Sequence, residues 1–449
     1  MSKSSDFLLS SKKAQKLYDS YAKNLKIVDS CSSFSSREIC ENLNFENITK
    51  LWISNGVSGD NHKLDLMRKA GIQERQINGD ASDWEKFNAF VKTLELSYAN
   101  PVYERSLLEL QKYFGLETTL DSKNAENIWN TLNAKLATDE YKPRSIIAKS
   151  NVDIIITEDD LTDSLEYHRL LSIEEKRFRV LPGWSPRRVL NISSKNFTSF
   201  ILELSISTDV EIEDLESLET AIRIRMNYFS ENGCSIAIHD LENFCFEPST
   251  SHDANCILEK VLAHKELSTS EIAKYYAYIQ KFLLKEYARR DWTLQMYGGS
   301  SKSDKGISSS ICNFFKDLQK QNLNANCNQI FQPRVILYSS DIDNYYQLIA
   351  LNYNQKFRFG GELCENSKGV DIFKQLEVYA NVDLLGNFIQ AHVNAQSFIG
   401  LAQHDYFRRA FCNFLADLMS SGRIRKNSNS IRQLVENVCY MNAKRQLGL

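Results

Sequence analysis

The chain has 449 residues, 43% of them hydrophobic, with 54 Lys and Arg against 57 Asp and Glu and a formal net charge of −3. That length supports a large buried core, and the near-neutral charge excludes the electrostatic footprint of a nucleic-acid or anionic-membrane binder. No apolar run approaches the roughly 20 residues of a membrane-crossing helix, and Met1-Ser2-Lys3-Ser4-Ser5-Asp6 does not read as a signal peptide. Ten scattered cysteines without a C-x-x-C pair read as reduced thiols of a cytoplasmic protein.

In chain order, eight short apolar runs read as strands: 25–30, 152–157, 177–184, 234–239, 292–298, 334–339, 356–361 and 388–394. Most are β-branched or aromatic without alternation, the pattern of strands buried on both faces. Helical spacing fills the intervals. It covers 84–96, 102–114 and 125–136 after the first run, then 215–232, which stops at Gly233 as a C′ residue. The capping box Ser268-x-x-Glu271 opens a helix to about 290, and 341–352 and 403–420 behave similarly. Strand and helix alternating eight times predict an α/β fold, a (β/α)8 TIM barrel. A doubly wound sheet is the alternative, but no Gly-rich turn follows the first strand. Residues 34–150 read as a helical insertion after the first strand, within a single domain spanning 1–449.

Barrel chemistry comes from the C-terminal ends of strands. Those ends carry Asp29-Ser30-Cys31-Ser32-Ser33, Thr157-Glu158-Asp159-Asp160, Ser185-Pro186-Arg187-Arg188, His239-Asp240, Tyr297 through Lys302, Glu362-Leu363-Cys364 and His392 through Gln396. His239 and His392 lack a partner at chelating spacing, so the pattern does not build a metal site. His239 is expected at the barrel mouth, hydrogen-bonded to backbone. Thr157 is expected to cap the following helix, with Asp160 at its N3 position. Arg187-Arg188 reads as an anion contact or a solvated surface, and Cys31 as a thiol nucleophile or a buried inert cysteine.

Longer motifs are more specific. Gly79-Asp80-Ala81-Ser82-Asp83-x-Glu85-Lys86-Phe87, Asp163-Ser164-Leu165-Glu166-x-His168, Leu181-Pro182-x-Trp184, Glu286-Tyr287-Ala288-Arg289-Arg290-x-Trp292 and His404-x-Tyr406-Phe407-Arg408-Arg409 punctuate the chain. Through them it resembles, nearly end to end, the uronate (glucuronate) isomerases, barrel enzymes of the amidohydrolase superfamily. The resemblance implies a helical insertion after the first strand. It also implies interconversion of D-glucuronate and D-fructuronate by proton transfer through an enediol, usually with a divalent metal such as zinc.

The resemblance places the family's metal ligands, two histidines of Asp-x-His-x-His and an aspartate after the eighth strand, at Cys31, Ser33 and Asn394. The family's His-Tyr pair in the insertion is Asn61-His62. Its arginine after Leu-Pro-x-Trp is Ser185, with Arg187 nearby. Its histidine and arginine after the fifth strand are Tyr297 and Lys302, and the arginine beside the lost aspartate is Gln396. Its paired tryptophans are Leu363-Cys364, and only His239 is retained, behind Ile238.

Scaffold motifs kept with the pocket replaced lead to an expected pseudoenzyme with a binding, scaffolding or regulatory role. No cofactor is expected. The partners expected are a second copy or another protein in an oligomer, and a sugar acid held by Asn61, Arg187, Lys302 and Gln396. One alternative is a surviving metal-free isomerase with His62 or His239 as base. Another is an enzyme repurposed around Cys31.

Overall fold

The structure is a computed structural model that describes residues 7–54, 59–241, 244–297, 307–324, 332–339, 356–363, 369–393, 395–425 and 427–449. Eight strands form one sheet: β1 (Ile27–Ser32), β2 (Val152–Asp160), β3 (Arg179–Ser185), β4 (Ile236–Asp240), β5 (Thr293–Tyr297), β6 (Arg334–Ser339), β7 (Phe357–Leu363) and β8 (Ile389–Val393). They pair in chain order and in parallel, and β8 lies beside β1, so the sheet curls into a barrel. Each strand falls on one of the eight apolar runs, and the fold is the (β/α)8 barrel that their alternation with helices predicts.

One boundary differs, and the difference matters for the site. β2 continues through Asp160, and the next helix begins only at Glu166. Thr157 through Asp160 are therefore strand, not the cap of a helix with Asp160 at N3. The cause is pairing with β3, which runs on through Glu158↔Gly183, Asp159↔Trp184 and Asp160↔Ser185. Gly183 permits this approach, since a Cβ there would stand 2.4 Å from the Thr157 carbonyl oxygen.

The outer helices form where their caps and spacing place them. Thr269–Arg289 is opened by the reciprocal Ser268–Glu271 capping box, and Leu215–Glu231 ends before Gly233 at φ +89°. The helix expected over 341–352 lies outside the described residues.

Between β1 and β2 the described residues form helices, among them Asn61–Lys69, Asp83–Glu95, Pro101–Phe114 and Ala125–Leu136, plus the short bridge Ser54–Gly59. Their apolar faces join the core that surrounds the barrel, with Trp52, Phe87 and Phe90 fully buried. Each such side chain stabilises by roughly 1.5–3 kcal/mol relative to exposure. Phe34, just after β1, stacks on Phe398, just after β8, at 4.4 Å.

A second cluster fills the barrel itself. Val28, Ile154, Ile156, Ile236, Ile238, Ile336 and Ile389 meet Ala443 and Leu447 of the C-terminal helix there. That helix closes the N-terminal end, which leaves the C-terminal ends as the face where a pocket can form.

Candidate functional site at the barrel mouth

Strand alternation decides which side chains reach the mouth. In β2, Ile154 and Ile156 face the barrel interior and Ile155 the outer core. Glu158 therefore points inward, while Thr157 and Asp159 point out. On the outer side Thr157 Oγ1 lies 2.7 Å from Asp159 and 2.8 Å from His168 Nε2. Burial pushes the Asp159 carboxyl up to about 7 and the His168 imidazole down to about 4. In β1 the register with β2 slips between Asp29 and Ser32, and Cys31 joins the interior cluster. A slip of this kind re-aims a side chain at the rim of a barrel.

Glu158 is the hub. Its Oε1 accepts a hydrogen bond from Ser185 Oγ at 2.8 Å and pairs with Arg187 Nη2 at 2.8 Å. Its Oε2 accepts from the Tyr297 hydroxyl at 3.0 Å, and Arg187 Nη2 donates to that same hydroxyl at 3.2 Å. Asp240, at the end of β4, stands 3.9 Å from Arg187. Burial opposes the guanidinium charge, but Glu158, Tyr297 and Asp240 outweigh it and raise the Arg187 pKa. Burial, then Cys31 and Glu158, raises the Tyr297 pKa, so the phenol keeps its proton.

Cys31 is buried. Burial, then Glu158 and Asp29, pushes its thiol well above the usual range, against smaller opposing effects of Arg187 and Tyr297. A thiol held protonated is a poor nucleophile, which counts against the reading built on Cys31.

His239 lines the cleft beside Arg187, but its hydrogen-bond partner is not the backbone group expected. Ile236 and Ile238 face inward, so His239 turns outward, and its Nε2 meets the Tyr287 hydroxyl at 2.8 Å rather than backbone. Burial pushes it down to about 3, leaving a neutral imidazole.

His392 does face the interior, with its ring 5.4 Å from Tyr297 and 5.6 Å from Tyr338. Burial holds it down at about 4, against the field of Asp29. Asp29 itself is engaged by His404. Gln390 Nε2 donates to His404 Nδ1 at 2.5 Å, so Nε2 carries the proton that faces Asp29 Oδ1 at 3.4 Å.

The other sequence candidates divide by element. Asn61 is exposed and His62 half-buried at the start of helix Asn61–Lys69, where the Asp60 carboxylate accepts the His62 N–H at 3.2 Å. Gln396 Nε2 donates to Ser33 Oγ at 3.3 Å and ties the segments after β8 and β1 together. Lys302, Cys364 and Asn394 lie outside the described residues. In the sequence Glu158 reads as part of a helix cap, Asp240 stands at a strand end with no role given to it, and His404 appears only in a scaffold motif. The strand phase set by Ile154 and Ile156 is the signal that finds Glu158. Beside Arg187 a cleft of about 430 Å³ opens, lined by Pro186, Asn191, Ile238, His239, Asp240 and Tyr276 among others. That is the size of a small-molecule site.

The divalent metal implied by the resemblance can be tested against this donor set. Cys31 offers a thiol rather than a thiolate, and Ser33 an exposed hydroxyl already accepting from Gln396. Among the described residues no group of three His, Cys, Asp or Glu could hold a metal ion. A hard or borderline cation needs carboxylate, imidazole or thiolate donors, so the described donors at these positions do not fit the group. Among the described residues no helix is long and apolar enough to cross a membrane.

A parallel eight-stranded barrel with polar side chains gathered at its C-terminal face defines the class of barrel proteins whose sites are built from strand ends and the loops after them. Within that class a family model described as Glucuronate isomerase matches residues 1–447. The uronate isomerase of Lactococcus lactis subsp. cremoris is 32% identical over 99% of this chain and 97% of its own length. That of Caldanaerobacter subterraneus subsp. tengcongensis is 33% identical over 99% and 98%. The chain belongs to the glucuronate (uronate) isomerase family. Two solved structures share its fold. One is a Thermotoga maritima uronate isomerase, with TM-score 0.89, 22% identity and all of both chains covered. The other is a Caulobacter crescentus glucuronate isomerase, with TM-score 0.85 and 16% identity over 97% of this chain and 94% of that one.

Proposed function

We propose that this family member has lost sugar-acid isomerisation and serves as a cytoplasmic binding or scaffolding protein, without a resident metal, in an oligomer with itself or another protein. The observation that supports this is the hydrogen-bonded network around Glu158 at the mouth. Glu158 is met by Ser185, Arg187 and Tyr297, so Nη2 of the guanidinium that could grip a uronate carboxylate is already engaged. Glu158 and Asp240 also set two carboxylates against that one guanidinium, which repels an anionic substrate. An aldose–ketose proton shuttle needs a base of suitable strength, yet burial holds His239, which lines the cleft, down at about 3, and Cys31 keeps its proton.

A second reading, retained isomerisation of D-glucuronate to D-fructuronate, is favoured by the 32–33% identity to uronate isomerases over nearly the whole chain. One experiment separates the two. The purified protein is assayed for metal content and for ketouronate formation from D-glucuronate, with and without added zinc or manganese. The proposal expects no stoichiometric metal and no turnover. Turnover would establish the second reading and overturn the first, and its loss or survival with a chelator would say whether that activity uses a metal.

A further inference from the structure

Away from the mouth, the helix Ser251–Leu262 carries a second group of reactive side chains. Its rotation is fixed by Ala254, Ile257 and Leu258, which are buried, and by a reciprocal Thr250–Asp253 capping box at its start. These anchors turn His252 and Cys256 to solvent, four residues apart on one face. The two side chains meet across that turn, with Cys256 Sγ 3.7 Å from His252 Nε2.

That spacing has a chemical meaning. Zinc binds imidazole nitrogen at about 2.0–2.1 Å and thiolate sulfur at about 2.3 Å, so at the tetrahedral angle the two donors stand about 3.6 Å apart. The two side chains now share a hydrogen bond, and their separation is close to this bite. The donor pair is also selective. Imidazole with thiolate favours zinc over magnesium or calcium, which take oxygen donors.

We infer that His252 and Cys256 form a surface chelating pair for a divalent zinc-class ion. On binding, the Cys256 S–H bond breaks and its proton passes to solvent. The Zn–S and Zn–N bonds form without any change in oxidation state. Among the described residues no third His, Cys, Asp or Glu completes the set, so water occupies the remaining positions. The site is separate from the barrel mouth and stands whether or not the chain isomerises uronates.

The test uses the full-length protein, stripped with a chelator and then titrated with cobalt as a spectroscopic stand-in, and with zinc. Cobalt should give a thiolate-to-metal charge-transfer band that disappears in Cys256→Ser. Zinc should slow maleimide labelling of Cys256, read by peptide mass mapping, by about tenfold. The slowing should vanish in His252→Ala; both residues are exposed, so neither substitution threatens the fold. Labelling unaffected by zinc would overturn the inference. So would protection that persists undiminished in His252→Ala, which would mean adventitious binding to a lone thiol.

Discussion

Glu109→Ala is expected to be among the most damaging single substitutions in the insertion. Lys63 is 2% exposed and Glu109 1%. The Lys63 ammonium sits 3.0 Å from Glu109 Oε2 and 3.1 Å from Asp60 Oδ2, and it donates to the Trp52 carbonyl at 3.0 Å. Trp52 Nε1 donates to the same Glu109 oxygen at 2.6 Å. Burial alone would lower the Lys63 pKa, but Asp60 and Glu109 overcome it and raise it. Removing the Glu109 carboxylate strands the indole N–H and leaves the ammonium with one counter-ion. Breaking a buried pair costs about 3–5 kcal/mol, and the surviving Asp60 places this case near 3–4 kcal/mol. At about 2.1 cal/mol/K per residue, a cooperative unit of 449 residues has an unfolding entropy of roughly 0.9 kcal/mol/K. The expected drop in Tm is therefore about 3–4 °C. Glu109→Gln, which keeps an acceptor for Trp52, should lose less. The double variant Lys63→Met with Glu109→Leu should lose less than the sum of its two singles, because no ammonium is left beside a missing carboxylate. The Trp52 indole N–H stays unmet, and Asp60 keeps only the backbone N–H donors of His62 and Lys63. Calorimetry on wild type, Lys63→Met, Glu109→Leu and the double variant measures the coupling, with Glu109→Ala and Glu109→Gln run alongside. A Glu109→Ala Tm within about 1 °C of wild type, or a double variant that loses the sum of the singles, would refute the reasoning.

Two further outcomes follow from the titrating groups. In the native protein at neutral pH, iodoacetamide should label exposed Cys256 well before Cys31, whose thiol is buried beside Glu158 and Asp29; equal rates by peptide mapping would contradict the burial of Cys31. At the opposite end of the barrel, burial raises the Asp153 pKa, but hydrogen bonds from Tyr440, Lys26 and Lys444 outweigh it and bring the carboxyl down to about 2. Its unfolded value is about 4, so its stabilising contribution is fully present above that pH and is lost as pH falls toward about 2. Asp153→Asn should flatten that acid limb in unfolding midpoints measured against pH, and an unchanged slope would remove Asp153 from the account.

How much was legible from sequence depends on whether the signal was local. The run Ile154-Ile155-Ile156 announces a strand buried on both faces, and Ser268 with Glu271 announces a helix start; both are settled within a few residues. Thr157 through Asp160 satisfy two local rules at once, since a Thr with an acid three residues on suits a helix cap as well as a strand end. What decides between them is pairing with residues 183–185, made possible by the missing Cβ of Gly183. His239 shows a different failure. It does line the cleft, but the phase set by Ile236 and Ile238 turns its ring toward Tyr287 and away from the backbone partner expected.

The network around Glu158 joins residues 27 to 139 positions apart, beyond the reach of any local pattern. Its parts nevertheless explain one another. Where the resemblance implies an arginine and a histidine, the chain has Ser185 and Tyr297, and both of their hydroxyls donate to Glu158. A half-buried carboxylate at this mouth without those donors would be destabilising, and those hydroxyls without an acceptor would leave polar groups unmet. Taken singly, each replacement reads as the loss of a functional group. Taken with Glu158 and Arg187, the two form a set that satisfies itself, which is how the barrel can keep a stable, polar mouth whose groups are turned toward one another.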